Sequence, residues 1–181
     1  MKTLIFILAC LSIVETRAEI AYEFELQHLE ICGFVKCKDF GHLENIIQAA
    51  YDNGFTTIAK LLVDFDLVEP ILSKEYVTLF APSNKAFEKI WPKFNSLTYE
   101  EARAILKRHI VPSLLNAEDL YDGQKLLNLN QDFLVVMRDN LVPTENLFLA
   151  THTDHYAQVL TFEGKVEIPY AVLHSLNRVL V

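Results

Sequence analysis

The sequence predicts an α+β domain, with helices gathered in its first half and short strands in its second. Three observations carry this expectation. Apolar residues recur at helical spacing between residues 42 and 109. Beyond Pro112 that periodicity fades into short β-branched and aromatic runs. These runs are separated by turn signals at Asp122-Gly123, Asn130, Asp139-Asn140, Thr153-Asp154 and Glu163-Gly164. Nowhere do strands and helices alternate regularly, which argues against a doubly wound parallel sheet.

The first 18 residues stand apart from the fold. Lys2 precedes an apolar run from Leu4 to Val14, and Thr16-Arg17-Ala18 supplies small residues before a cut. This is the layout of a secretory signal peptide cleaved after Ala18. The run is too short for a bilayer, which needs about 20 helical residues. Residues 19–39 form a mixed lead-in. With Cys10 in the leader, Cys32 and Cys37 are an even pair entering an oxidising compartment. Four intervening residues, including Gly33, allow the chain to loop back, and a disulfide there contributes about 2 kcal/mol. A redox motif has two intervening residues, and a zinc site wants two further ligands at clip spacing.

Elements of the domain follow in order. Leu43, Ile46, Ile47 and Ala50 place one apolar stripe on a helix over residues 42–52, with Asn53-Gly54 as its stop. Ile58, Leu61, Leu62 and Phe65 mark a second helix, and Pro70 limits a short third turn around Leu67 to Leu72. Tyr76 to Phe80 reads as a strand that Pro82 ends. Ser83 then caps a helix carrying Ala86, Phe87 and Ile90, which Trp91-Pro92 closes. Phe87 is expected to plug the core, its burial contributing roughly 1.5–3 kcal/mol. Thr98-Tyr99-Glu100-Glu101 is a capping box opening a helix with Ala102, Ile105, Leu106 and His109 on one side, and Pro112 stops it. Candidate strands are Lys125–Leu129, Phe133–Arg138, Leu147–Thr151, Ala157–Glu163 and Val172–Val181. The last does not alternate cleanly and reads as a strand buried on both faces or bent by a bulge.

Four stretches in this order resemble the fasciclin-type adhesion domain: FTTIAKLLVDFDLVEPIL, TLFAPSNKAFEKI, LKRHIVPSLL and VLHSLNRVLV. The second resembles the family's first signature box, and the fourth its second box. In place of the Asn-Gly pair that usually precedes that last box, this chain has Ile168-Pro169-Tyr170-Ala171. The resemblance implies a single fasciclin-type domain over residues 40–181, its helices packed on a mostly antiparallel β-sandwich or wedge. It also implies extracellular adhesion, with integrins or matrix proteins as partners of some members. An adhesive Tyr-His pair of certain animal members falls here at Arg108-His109, without the tyrosine. Their acidic-Pro-Asp-Ile-like motif is matched only by Glu167-Ile168-Pro169, without the aspartate.

Charge narrows the function further. The chain has 16 basic and 24 acidic side chains. Removing Lys2, Arg17 and Glu15 with the leader leaves 14 and 23, a net charge of −9. Such a chain repels a phosphate backbone, so nucleic acid is not an expected partner. No phosphate loop, nucleophile elbow, zinc-protease helix or cysteine–histidine dyad is present, and no catalytic residue, cofactor or metal is expected. His109 is expected as a neutral, packed and hydrogen-bonded imidazole. Asp64, Asp66 and Glu69 lack the glycine-turned loop that calcium wants and read as a solvated face. His152, Asp154 and His155 have ligand spacing for a transition metal, but a polar loop tip carries the same residues. With Tyr156 they are the candidate partner-binding loop. The reading is a secreted, non-enzymatic binding module for an extracellular protein or matrix component, able to self-associate and touching membranes only peripherally. The second reading, a secreted carrier of small apolar ligands, requires an apolar cavity of about 300 Å³ or more.

Overall fold

The strand from Val77 to Pro82, β1, is buried along its whole length and divides the molecule into two cores. The computed structural model describes residues 44–139, 146–151, 155–160 and 166–181. The leader, the lead-in with Cys32 and Cys37, and His152 and Asp154 lie outside the described residues.

Five helices precede or flank β1. They are α1 (Glu44–Asp52), α2 (Thr56–Asp64), α3 (Val68–Leu72), α4 (Asn84–Phe94) and α5 (Tyr99–Arg108). Gly54, at φ +85°, takes the left-handed conformation that separates α1 from α2. Ser83 Oγ accepts from the Ala86 N–H, and Thr98 and Glu101 bond reciprocally, so both expected caps are present. The two bonds from Thr98 hold the Glu101 carboxyl below the usual carboxylate range. The second helix has no cap of its own. Its Thr57 N–H donates instead to Asn84 Oδ1, 27 residues away at the start of α4, at 3.1 Å.

Pro82 ends β1 as expected, as its last residue, opposite Leu176. Two other prolines behave differently from their sequence reading. Pro92 does not close α4, which runs on to Phe94. The carbonyl that loses its partner to Pro92 belongs to the exposed Glu88, where water reaches it. Phe94 is meanwhile held by stacking on Trp91 and by an edge contact with Phe87. Nor does Pro112 end α5. That helix stops at Arg108 because Ile110–Val111, strand β2, pairs antiparallel with Thr78 and Leu79.

The remaining strands are β3 (Lys125–Leu127), β4 (Phe133–Asp139), β5 (Asn146–Ala150), β6 (Tyr156–Leu160), β7 (Val166–Ile168) and β8 (Ala171–Leu176). Five of these match sequence candidates. The two-residue β2 and three-residue β7 were not among them, being too short for a periodic signal. The final strand ends at Leu176 rather than Val181. The spatial order is β2-β1-β8-β6-β5-β4-β3, with β7 on β8. Only β1 and β8 pair in parallel; the other described pairs are antiparallel. Before β8, Pro169-Tyr170 makes the turn, Tyr170 taking φ +68° where an Asn-Gly pair would supply glycine.

Side-chain alternation along β1 and β8 explains the two cores. Val77, Leu79, Ala81, Ala171 and Leu173 face the helices and pack with Ile46, Ile58, Leu62, Phe87 and Leu106. Phe80 and Leu176 face the other way and pack with Leu134, Val136, Leu147, Leu149 and Val159. One half of the sheet thus shares a core with the other half, and the sheet folds over on itself as a sandwich does. The expectation of a strand buried on both faces holds for β8, and β1 is its equal.

Candidate functional site

The end of β5 and the start of β6 are tied together by the Thr151 N–H donating to the His155 carbonyl at 2.9 Å. His155 is exposed. Tyr156, expected in this loop, is instead the first residue of β6, because it pairs with Ala150. Its ring stands on the outer face of the sheet, 53% exposed, with Phe148 edge-on at 6.0 Å and the Arg178 guanidinium 5.6 Å above. Of the four loop residues named from sequence, the described two are therefore divided, His155 lying just before β6 and Tyr156 within it.

That outer face is apolar where alternation would supply polar groups. Along β4, Leu134 and Val136 point into the core, while Phe133, Val135 and Met137 point outward. Phe133 is 47% and Met137 48% exposed. In register beside them lie Leu127 on β3 and Phe148 on β5, with Tyr156 next on β6. The signal in the sequence was the unbroken run Phe133-Leu134-Val135-Val136-Met137, which a strand with one solvated face should not contain.

The histidines in the cores are structural. His109, fully buried, caps the C-terminus of α5. Its Nδ1 lies 2.8 Å from the Ile105 carbonyl, and its Nε2 accepts from the Leu180 N–H at 3.0 Å. Nε2 must be unprotonated to accept, so Nδ1 carries the hydrogen and the ring is neutral. Burial pushes its pKa down to about 4, assisted by the neighbouring Arg108 charge and opposed by the Ile105 bond. His174, which the sequence reading passed over, is buried in β8, stacks on Phe80 and bonds the Leu115 carbonyl at 2.7 Å. Beside it Thr78 Oγ1 donates to the Ser113 carbonyl and accepts from the Leu115 N–H. Phe87 is 1% exposed in the helical core.

A cleft of about 210 Å³ opens where α4 and α5 meet the turns of the sheet, lined by Lys93, Arg108, Asn128, Asp132, Phe133 and His155 among others. At that volume it falls short of the cavity of about 300 Å³ or more that a carrier of apolar ligands requires. Asp64, Asp66 and Glu69 are exposed, and Asp66 Oδ2 accepts from the Tyr99 hydroxyl. Among the described residues no group of three His, Cys, Asp or Glu side chains is placed to hold a metal ion. No helix among them is long and apolar enough to cross a membrane.

With this geometry in hand, the sequence model of the Fasciclin domain matches residues 53–181. The chain belongs to the fasciclin-domain family. Helix α1 precedes the matched region, yet its Ile46 and Ala50 are buried in the same core as α2. A fasciclin-like arabinogalactan protein of Cercospora beticola, CTB11, is 32% identical over 83 residues, 46% of this chain and 22% of its own. Fasciclin-like arabinogalactan protein 6 of Arabidopsis thaliana is 35% identical over 85 residues, 44% of this chain and 34% of its own. The chain thus spans about a fifth to a third of the length of these relatives. Among solved structures, the FAS1 domain pair of the insect cell adhesion molecule fasciclin I superposes with a TM-score of 0.61 at 19% identity. That match covers 72% of this chain and 46% of the other. In this fasciclin domain, the position before His109 holds Arg108 in an ion pair with Asp132 at 3.2 Å.

Proposed function

We propose that this fasciclin domain is a secreted, non-enzymatic binding module that takes an extracellular protein or matrix component on the outer face of β3 to β6. The observation that carries the reading is the solvent face of β4, where Phe133, Val135 and Met137 stand beside Tyr156. A rigid sheet presenting aromatic and methionine side chains suits a partner interface, since such anchors dominate binding free energy. Family membership supports an adhesive role, and the relatives' names place fasciclin domains in cell adhesion molecules and arabinogalactan proteins. Residues 1–18 act as the secretory leader in this reading. Cys32 and Cys37 then form a disulfide, and a second copy is one partner the same face can take.

The test compares secreted wild type with the Met137→Asp, Tyr156→Ala variant on the extracellular matrix of the producing tissue. Denaturant midpoints should agree to within about 0.5 kcal/mol, as expected for surface positions. Retention by the matrix, or self-association in sedimentation, should weaken about fivefold or more. Unchanged retention and association by a correctly folded variant would remove the sheet face from the interface.

A further inference from the structure

Two exposed tyrosines meet where β1 and β8 begin. Tyr76 precedes β1 and Tyr170 precedes β8, and the parallel register of these strands, Val77 opposite Ala171, sets the two side by side. The Val77 N–H donates to the Tyr170 carbonyl at 3.1 Å and fixes that approach. Their ring centroids lie 6.1 Å apart, with the planes tilted by 38°. Tyr76 is 39% and Tyr170 45% exposed, so both side chains are open to a reagent in solution.

Tyr170 holds this place at a conformational cost. Its φ of +68° lies in the left-handed region that glycine enters freely and a bulky side chain does not. Glycine makes the same turn without that strain; what tyrosine adds is a ring within reach of Tyr76. The Glu75 carboxylate raises the Tyr76 phenol above its ordinary pKa, chiefly by its charge. That phenol is therefore protonated in neutral solution, with a base beside it to take the proton as an electron leaves.

We infer that Tyr76 and Tyr170 form an oxidative cross-linking site, joined as dityrosine by an extracellular peroxidase acting with hydrogen peroxide. Each phenol gives up one electron and one proton. The two phenoxyl radicals couple through a carbon–carbon bond between Cε atoms, and the hydrogens on those carbons move to the oxygens to restore both phenols. Peroxide takes up the two electrons and two protons and leaves as two waters, so the protein loses two hydrogens. Side-chain rotation at two half-exposed positions closes the gap between the rings. The link staples β1 to the entry of β8, the parallel pair that both cores share, and closes the long loop from residue 76 to residue 170. Neither tyrosine lies on the sheet face proposed above. The site shares with that reading only the secreted location, which supplies the oxidant.

The experiment treats the purified protein, folded and in urea, with a haem peroxidase and limiting hydrogen peroxide, so its outcome does not depend on secretion. The folded monomer should lose the mass of two hydrogens and gain dityrosine fluorescence. Trypsin should release residues 75–85 joined to residues 166–178, the peptides that carry Tyr76 and Tyr170. In urea this joined pair should fall about tenfold or more, because the proximity is lost. Tyr170→Phe, which keeps the ring and lacks the phenol, should abolish it. Tyr121→Phe, at a more exposed position, should leave it unchanged. The cross-linked protein should melt about 5 °C or more above the untreated one, because the link constrains the unfolded chain. A joined pair as abundant in urea as in the folded protein, or one that persists in Tyr170→Phe, overturns the proposal. So does a product confined to dimers or to other tyrosines, or a thermal midpoint that does not rise.

Discussion

The Leu180 N–H donates to His109 Nε2 at 3.0 Å, across 71 residues of sequence, and by this bond the last residues of the domain are tied to the end of α5. The same residue accepts from the Phe80 N–H at its own carbonyl, 2.9 Å away, so His109 joins α5, β1 and the C-terminal segment. Removing the ring should be costly. His109→Phe keeps a flat ring at the site but orphans the Leu180 N–H, and should lower stability by about 1–3 kcal/mol in urea unfolding. A midpoint equal to wild type would show that the bond contributes nothing net.

Acid should weaken the same junction. The His109 pKa is about 4 in the fold and 6.5 as an unperturbed side chain, so unfolding takes up a proton between those values. The sign follows: the stability contribution is complete above about pH 6.5 and is lost progressively as pH falls toward 4. The full loss is about 3 kcal/mol. The wild-type free energy of unfolding should therefore drop more steeply over this window than that of His109→Phe. Parallel pH profiles for the two proteins would mean that another group carries the titration.

Asn84 is a cap supplied by a neighbouring helix. Its Oδ1 accepts from Thr57, and its Nδ2 donates to the Gly54 carbonyl and to Thr56 Oγ1, both at 3.0 Å. Asn84→Ala should cost about 1–2 kcal/mol, the scale of a lost N-cap, and Asn84→Asp less, because it keeps the acceptor. Thermal unfolding of the two variants decides this. Equal stability of Asn84→Ala and wild type would mean that water caps α2 as well.

Phe87 sits in the helical core at 1% exposure with an edge contact to Phe94. Phe87→Ala should destabilise by roughly 3–5 kcal/mol. Against a typical total of about 5–15 kcal/mol, that should also reduce the amount secreted. Normal secretion with an unchanged denaturant midpoint would contradict the placement of this side chain.

Local chemistry made much of the domain legible in the sequence. The Ser83 cap and the Thr98–Glu101 box are each complete within four residues. The stripes of α1, α2 and α5 need only helical periodicity, and the Gly54 and Gly123 turns need only a positive φ. The burial of Phe87 and His109 followed from their positions on such stripes. What could not be read depends on partners remote in the chain. Strand β2 has two residues and exists because β1 lies beside it. Helix α4 continues through Pro92 because Phe94 finds an aromatic cluster on the far side.

The candidate site divides along the same line. Sequence alone identified Tyr156 and His155 as exposed polar–aromatic groups, because turn residues next to a strand announce their own exposure. Only the tertiary structure put Tyr156 on a strand rather than in the loop, since pairing with Ala150 is a register between segments and has no local signature. Likewise, the run from Phe133 to Met137 was legible as a strand, but which of its residues face a core depends on Leu147, Leu149 and Val159 arriving on one side. The sequence determined which segments become the helices and the longer strands, and most of the turns between them. The tertiary structure decided which apolar face stays in water and which two tyrosine rings meet, because both are settled by the groups that other segments bring, or fail to bring, against them.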